Sequence, residues 1–279
     1  MALRINYNLA ASVAQRSLGA SQDNYAKQAE RLATGLRINK AGDDAAGMAV
    51  SERLKNQVRG LNQAARNAQD GISMIQTAEG AMGEAHNILA RMRELAIQSS
   101  NDTLTSTDRT NLQVEFSALY SEIDRIATAT QFNGTAILTG GSTSLSLQVG
   151  ANNGNSITLN VTPSGGFQAS VLESSFAGAG ASITSQSLAS GTITVLDSAV
   201  NAVSTARASL GAMQSRLEST SRSIAVASEN AAAANSRIAD ADIAGSMSEL
   251  VRAQILQQAG ISVLAQANQA PSLVLQLLR

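Results

Sequence analysis

The chain has 279 residues, enough at about 150 per domain for one or two compact domains, yet it holds three Tyr, four Phe, no Trp and only two prolines, Pro163 and Pro271. So few large rings argue against an ordinary globular core, and so few prolines leave long stretches free to be helical. Twenty basic against 21 acidic residues exclude a strongly basic nucleic-acid footprint; with no cysteine there is no disulfide or thiolate site, and a triad or multi-histidine metal site would have to centre on the one histidine, His86.

In chain order, the first 20 residues carry Arg4 and Arg16 and never build an apolar stretch, so no Sec signal is expected. No apolar run approaches the ~18 residues of a membrane span, and no membrane insertion is expected. Ala11, Leu18, Tyr25 and Leu32 recur every seven residues with Ala29 and Leu36 between them, a narrow helical stripe. Asp43 and Asp44 could suggest a metal, as could Asp240 and Asp242, but no further ligand type accompanies them. They read as linker and helix-capping residues, with Gly42, Gly47 and Gly245 marking the same junctions. A longer helix follows, in which Leu54, Val58, Leu61, Ala65, Ala68, Ile72 and Ile75 alternate by four and three. After a phase slip at Ala78 the alternation resumes through Met82, Ala85, Leu89, Met92 and Ala96. Gly71, Gly80 and Gly83 weaken this helix, so packing must compensate. Thr105 with Asp108 is a capping signal for a third helix, striped by Leu112, Phe116, Leu119, Ile123 and Ile126.

The middle is different in kind. Between Ile126 and Leu196 the only charged residue is Glu173. Leu145, Leu147 and Val149 alternate with polar residues, as do Ile157, Leu159 and Val161, with Asn153-Gly154 between the runs: a β-hairpin with a loop longer than two residues. A second Asn-Gly turn lies within Gln131 to Thr135. Residues 162–192 read as a polar loop with one further strand at most, rich enough in Ser and Thr to carry O-glycans.

The clearest pattern comes next. Leu196, Val203, Leu210, Leu217, Ile224, Ala231 and Ile238 stand at strict seven-residue intervals, interleaved with Ala199, Ala206, Met213, Thr220, Ala227, Ala234 and Ala241. This is a coiled-coil seam about 69 Å long, with alanines that allow close helix approach. The far end holds Met247, Leu250, Val251, Ile255, Leu256, Ile261 and Leu264, then an apolar tail from Leu273 to Leu278. The expected fold is mainly α: an elongated antiparallel coiled-coil or helix-bundle rod with a small β-hairpin region in its central segment. Stripes that one chain cannot bury at its two ends suit a self-assembling subunit, and a repeated interface that does not close gives a filament. An amphipathic lipid-binding helical protein would share the stripes but expose basic and aromatic residues along a face. No nucleophile motif supports a hydrolase, so no enzyme and no cofactor are expected.

Particular runs also resemble a known family. Glu30-Arg31-Leu32-Ala33-Thr34-Gly35-Leu36-Arg37-Ile38-Asn39, then Ala41-Gly42-Asp43-Asp44-Ala45-Ala46-Gly47, Arg66-Asn67-Ala68-Gln69-Asp70-Gly71-Ile72-Ser73 and Gln131-Phe132-Asn133-Gly134 are similar to the N-terminal signature of bacterial flagellin. Arg252-Ala253-Gln254-Ile255-Leu256-Gln257-Gln258-Ala259-Gly260 and Leu264-Ala265-Gln266-Ala267-Asn268-Gln269 resemble its C-terminus.

That resemblance implies a filament subunit in a short form without large outer domains. Residues 1–44 and 236–279 would form a terminal coiled-coil inner domain, disordered in the monomer. Residues 45–140 and 190–235 would form a helical rod, with 141–189 as its hairpin and polar loop. Leu18, Tyr25, Leu32, Ile255, Leu256 and Leu264 would lie at the polymerisation interface. The implied partners are further copies of the chain, an export chaperone at the C-terminal helix, and filament-cap and hook-associated proteins. Export would run through the flagellar type III apparatus to an extracellular flagellum. A hook-filament junction protein shares similar terminal coils and is the alternative within this architecture. The segment Leu89 to Gln98 resembles the stretch recognised by the vertebrate Toll-like receptor for flagellin, with Arg91, Leu95 and Glu115 as contact residues; Ala90 stands where the family often has Gln. Periodicity places Leu89, Met92 and Ala96 inward and Arg91 and Leu95 at the edge or outside.

Overall fold

The computed structural model describes residues 7–139, 144–160 and 182–277. The elements are α1 (Leu9–Thr34), α2 (Ala45–Ser99), α3 (Ser106–Ala129), the strand pair β1 (Gln131–Phe132) and β2 (Thr135–Ala136), the pair β3 (Ser144–Gln148) and β4 (Ser156–Asn160), α4 (Gln186–Ala239) and α5 (Ile243–Leu277). The chain is mainly α with two small antiparallel hairpins, as expected. It divides into two compact units: Met1–Gln57 with Glu229–Arg279, and Val58–Ser228.

In the unit Val58–Ser228, α2 and α4 run antiparallel. Arg93 pairs with Asp197 near one end and Asn62 accepts from Ser228 near the other. The buried row on α2 is more regular than its apolar residues suggest. Leu61, Ala68, Ile75, Met82, Leu89 and Ala96 form one seven-residue series and Ala64, Gly71, Ala78, Ala85, Met92 and Ser99 the other, all buried. The expected phase slip at Ala78 does not exist. Gly71, not Ile72, holds the seam position, so the alternation by four and three runs on without a break. The α4 row Ala189, Leu196, Val203, Leu210, Leu217 and Ile224 is buried throughout. Its companion row is covered at Thr192, Ala199 and Ala206 but open at Ala227.

Helix α3 starts at the expected capping box. The Thr105 hydroxyl accepts from the Asp108 amide while the Asp108 carboxylate accepts from the Thr105 amide. It buries Phe116, Ile123 and Ala127 against the α2 seam, with Ala127 taking the inward place expected for Ile126. Asn133 and Gly134, both at positive φ, form the tight turn between β1 and β2. In the longer hairpin Leu145 faces Leu159 and Leu147 faces Ile157, and Gly154 adopts φ 88° in the loop. Val161 and residues 162–181 of the expected polar loop lie outside the described residues. The rest of that loop is corrected: α4 begins at Gln186 because the Ser185 hydroxyl and carbonyl receive the amides of Leu188 and Ala189, and Ala189 and Thr192 are inward-facing.

The hairpin explains two helical glycines. A Cβ at Gly71 would overlap the Leu147 side chain, and one at Gly60 would press on Ala151 at 3.0 Å, while Asn67 donates to the Gln148 carbonyl between them. Gly80 and Gly83 face open space. Gly71→Ala should therefore lower stability by about 1–3 kcal/mol through overpacking, whereas Gly80→Ala should raise it by up to about 1 kcal/mol through helix propensity. Chemical unfolding followed by circular dichroism checks both, and equal signs for the two would contradict the docked hairpin.

Candidate self-association surface

The unit Met1–Gln57 with Glu229–Arg279 is built on α1 and α5, packed antiparallel. Asn8 caps α1 through the Ala11 amide and donates to the Ala267 carbonyl at one end. At the other, Leu36 and Asp240 form an antiparallel bridge. Two aspartates are helix caps, as expected. Asp44 accepts from Gly47 N at the start of α2, and Asp242 accepts from Ala244 N and Gly245 N at the start of α5. Both glycines stand three residues after their aspartate and both leave room for it: a Cβ at Gly47 would overlap Asp44 and Ile38, and one at Gly245 would meet Asp242 at 3.0 Å.

The two linkers are fastened together. Gly35, at φ 70°, ends α1 and accepts from Ala241 N, while Arg37 N donates to Ala239 O. The Arg37 guanidinium donates twice to the Ile238 carbonyl, at 3.1 and 2.6 Å, placing a cation on the last turn of α4. Asp43 organises the turn after it, accepting from Asn39 N and Lys40 N and pairing with Lys27 at 2.7 Å. The Lys27 hydrogen bond, reinforced by those amides, lowers the Asp43 pKa to about 2. No local pattern shows the partners of Arg37 and Lys27; only the carbonyl about two hundred residues away reveals what Arg37 does.

This linker is well tied, but the helix pair beside it is thinly covered. Helix α1 buries no residue, and α5 buries Ala253 among its described side chains. Ile243, Met247, Val251, Ile255, Leu256, Ile261 and Val263 are all exposed. At about 100° per residue these seven spread over roughly 220° of the circumference of α5, and Ala253 lies in the gap that remains. Of the residues expected at an interface, Ile255 and Leu256 are 60% and 52% exposed, Tyr25 is exposed, and Leu18, Leu32 and Leu264 are half-buried. Leu18 packs towards Gly260, so part of its surface serves the α1–α5 pair itself. Leu256 lies on a groove with Ser21, Asn24, Gln28 and Arg252, where Gln28 Oε1 is buried with no hydrogen-bond partner among the described residues.

In the other unit, Arg91 is exposed and bridges Glu94 at 3.0 Å and Glu115 at 2.9 Å, uniting α2 and α3. Leu95 departs from expectation: it is 1% exposed and belongs to the core. Two rows alone place it at the edge or outside, but α3 adds a third side to the bundle and that position is buried. Among the described residues no helix is long and apolar enough to cross a membrane.

Long helices in antiparallel pairs, with apolar surface at both chain termini that one copy leaves open, define a helical structural protein built to associate. Residues 5–143 match the bacterial flagellin N-terminal helical region and residues 193–278 the bacterial flagellin C-terminal helical region. The chain is 50% identical to a flagellin of Halalkalibacterium halodurans, covering 99% of each sequence. It is 42% identical to a flagellin of Bacillus subtilis, over 99% of this chain and all of that one. A solved structure assigned to a flagellar hook-associated protein from Vibrio parahaemolyticus shares the fold, with a TM-score of 0.59 at 14% identity over 71% of this chain and 100% of that one. The chain belongs to the bacterial flagellin family, a family of filament structural proteins and not of enzymes.

The Asp43 clasp has a definite pH signature. The folded carboxyl titrates near 2 and the unfolded one near 3.8, so the stabilisation is complete above about pH 4 and drains away as pH falls towards 2. A carbon-13 NMR titration should place the Asp43 midpoint near 2, and Lys27→Ala should move it upwards towards 3.8.

Proposed function

We propose that the chain polymerises with copies of itself through α1 and α5 into the extracellular flagellar filament that drives bacterial motility. The observation that supports this most is α5, apolar over roughly 220° of its circumference yet burying only Ala253 among its described side chains. Such a helix needs neighbours around it, and further copies of the same chain supply them. On this reading the α1–α5 pair, with so little buried, is disordered in the free monomer and orders as neighbours close over it. An export chaperone holds the C-terminal helix until then, and filament-cap and hook-associated proteins meet the same surfaces at the two filament ends. Residues 1–44 with 236–279 form the inner domain, 45–140 with 190–235 the helical rod domain, and 141–189 the hairpin and polar-loop region of that rod domain.

Full-length identity to flagellins favours the filament over a hook-filament junction protein, since the hook-associated likeness is one of fold alone. A lipid-binding role fits less well, because Arg252 is the one basic residue in the described part of α5 and it is bonded to Glu249. Seeding purified protein with filament fragments should yield long tubes by electron microscopy, and deletion of residues 243–279 should abolish them. Seeded protein without tubes, or tubes from the truncated chain, would sink the reading.

The free monomer also engages the vertebrate Toll-like receptor for flagellin through Arg91 and Glu115, with Leu95 supporting that surface from the core. Arg91→Ala with Glu115→Ala should cut receptor signalling by tenfold or more with the far-ultraviolet spectrum unchanged. Leu95→Ala should instead cost about 2–5 kcal/mol of stability. Full signalling by the double variant would remove this role.

A further inference from the structure

Ile243, Met247, Val251 and Ile255 stand four residues apart along α5 and all are exposed, which makes a strip along one face of the helix. Aliphatic side chains resist peroxides, but a thioether does not, so Met247 is the one oxidisable member of that strip. It is also the most open methionine among the described residues, at 49% exposed, against 6% for Met74 and 1% for Met82 and Met92; Met48 and Met213 are half-buried. The most accessible sulfur and the uncovered apolar strip therefore coincide in one side chain.

An unbranched thioether adapts readily to an apolar partner, and oxidation reverses that fitness. A sulfur lone pair of Met247 attacks one oxygen of hydrogen peroxide, the S–O bond forms as the O–O bond breaks, and the departing hydroxide takes up a proton and leaves as water. Sulfur is oxidised by two electrons and the peroxide is reduced by two. The sulfoxide is polar and accepts hydrogen bonds. Covered by an apolar neighbour, its oxygen would lose water and gain no donor, which disfavours the contact.

We propose that, in the filament reading on which this rests, Met247 is a peroxide-sensitive modification site that admits reduced copies to the filament and bars oxidised ones. A neighbouring copy that covers the strip also shields the sulfur, so the modification acts on the free chain and not on the assembled one.

The test treats the full chain with limiting hydrogen peroxide, removes the excess with catalase, locates added oxygen by peptide mass spectrometry and follows seeded elongation by light scattering. Met247 should gain oxygen at least tenfold faster than Met82 and Met92. The oxidised chain should elongate at least tenfold more slowly, and methionine sulfoxide reductases A and B should restore the rate. Met247→Leu should elongate within about threefold of the parent and keep that rate after peroxide. In a partly oxidised sample of the unaltered chain, Met247 sulfoxide should be depleted about fivefold or more from sedimented filaments relative to the chain left in solution, a measurement that needs no variant. Preformed filaments should gain oxygen at Met247 at least tenfold more slowly than the free chain. Equal sulfoxide in the two fractions, undiminished elongation with Met247 oxidised, or the same peroxide-induced loss in Met247→Leu would overturn the proposal while leaving the filament reading intact. No tubes from the untreated chain would instead overturn the filament reading itself.

Discussion

The rest of the larger unit depends on the match between the seam of α2 and that of α4. Two seven-residue series on α2 face a continuous series on α4, and small residues at Ala64, Gly71, Ala78 and Ala85 let the helices approach closely. This spacing decides where everything else can sit. Phe116 and Ile123 on α3 join the same buried cluster as Met82 and Met92, and Leu147 of the hairpin needs the notch that Gly71 leaves. A coiled coil built only of Leu and Ile would have no such recess. The low aromatic content is therefore part of the architecture, since rings on the seam would hold the helices apart.

Linkers solve a different problem in the smaller unit. A helix end leaves several amides or carbonyls without partners, and here four ends meet, near Gly35, Asp44, Ala239 and Asp242. Asp44 and Asp242 satisfy amides with the same spacing to glycine, and Arg37 reaches across to the last carbonyls of α4. The backbone bridge between Leu36 and Asp240 then ties two distant parts of the chain at one point. With its polar groups satisfied internally, this junction can keep its shape while the apolar helices beside it change partners.

Much of this was legible from spacing alone. The α4 series needed only a period of seven, the Thr105–Asp108 box a period of three, and the hairpin two alternating runs around Asn153-Gly154. The departures have separate causes, and the first is that periodicity weighs apolar side chains and overlooks what glycine permits. Ile72 outweighed Gly71, which produced a phase slip that the backbone does not have. A two-row pattern places Leu95 at the edge or outside, whereas with α3 beside α2 that position is buried. The start of α4 was hidden by Ser and Thr, which cap or face inward at Ser185 and Thr192 while looking like loop in composition. Arg37 and Lys27 were beyond any local pattern, because their partners are fixed by tertiary placement.

Apolar surface and charge then divide the work of assembly. Helix α5 offers apolar surface over more than half of its circumference, which favours association but cannot by itself choose among neighbouring registers. Charge contributes by what it does not do: 20 basic and 21 acidic residues leave a net of −1, so no strong long-range repulsion holds copies apart, and the choice of register falls to close contacts.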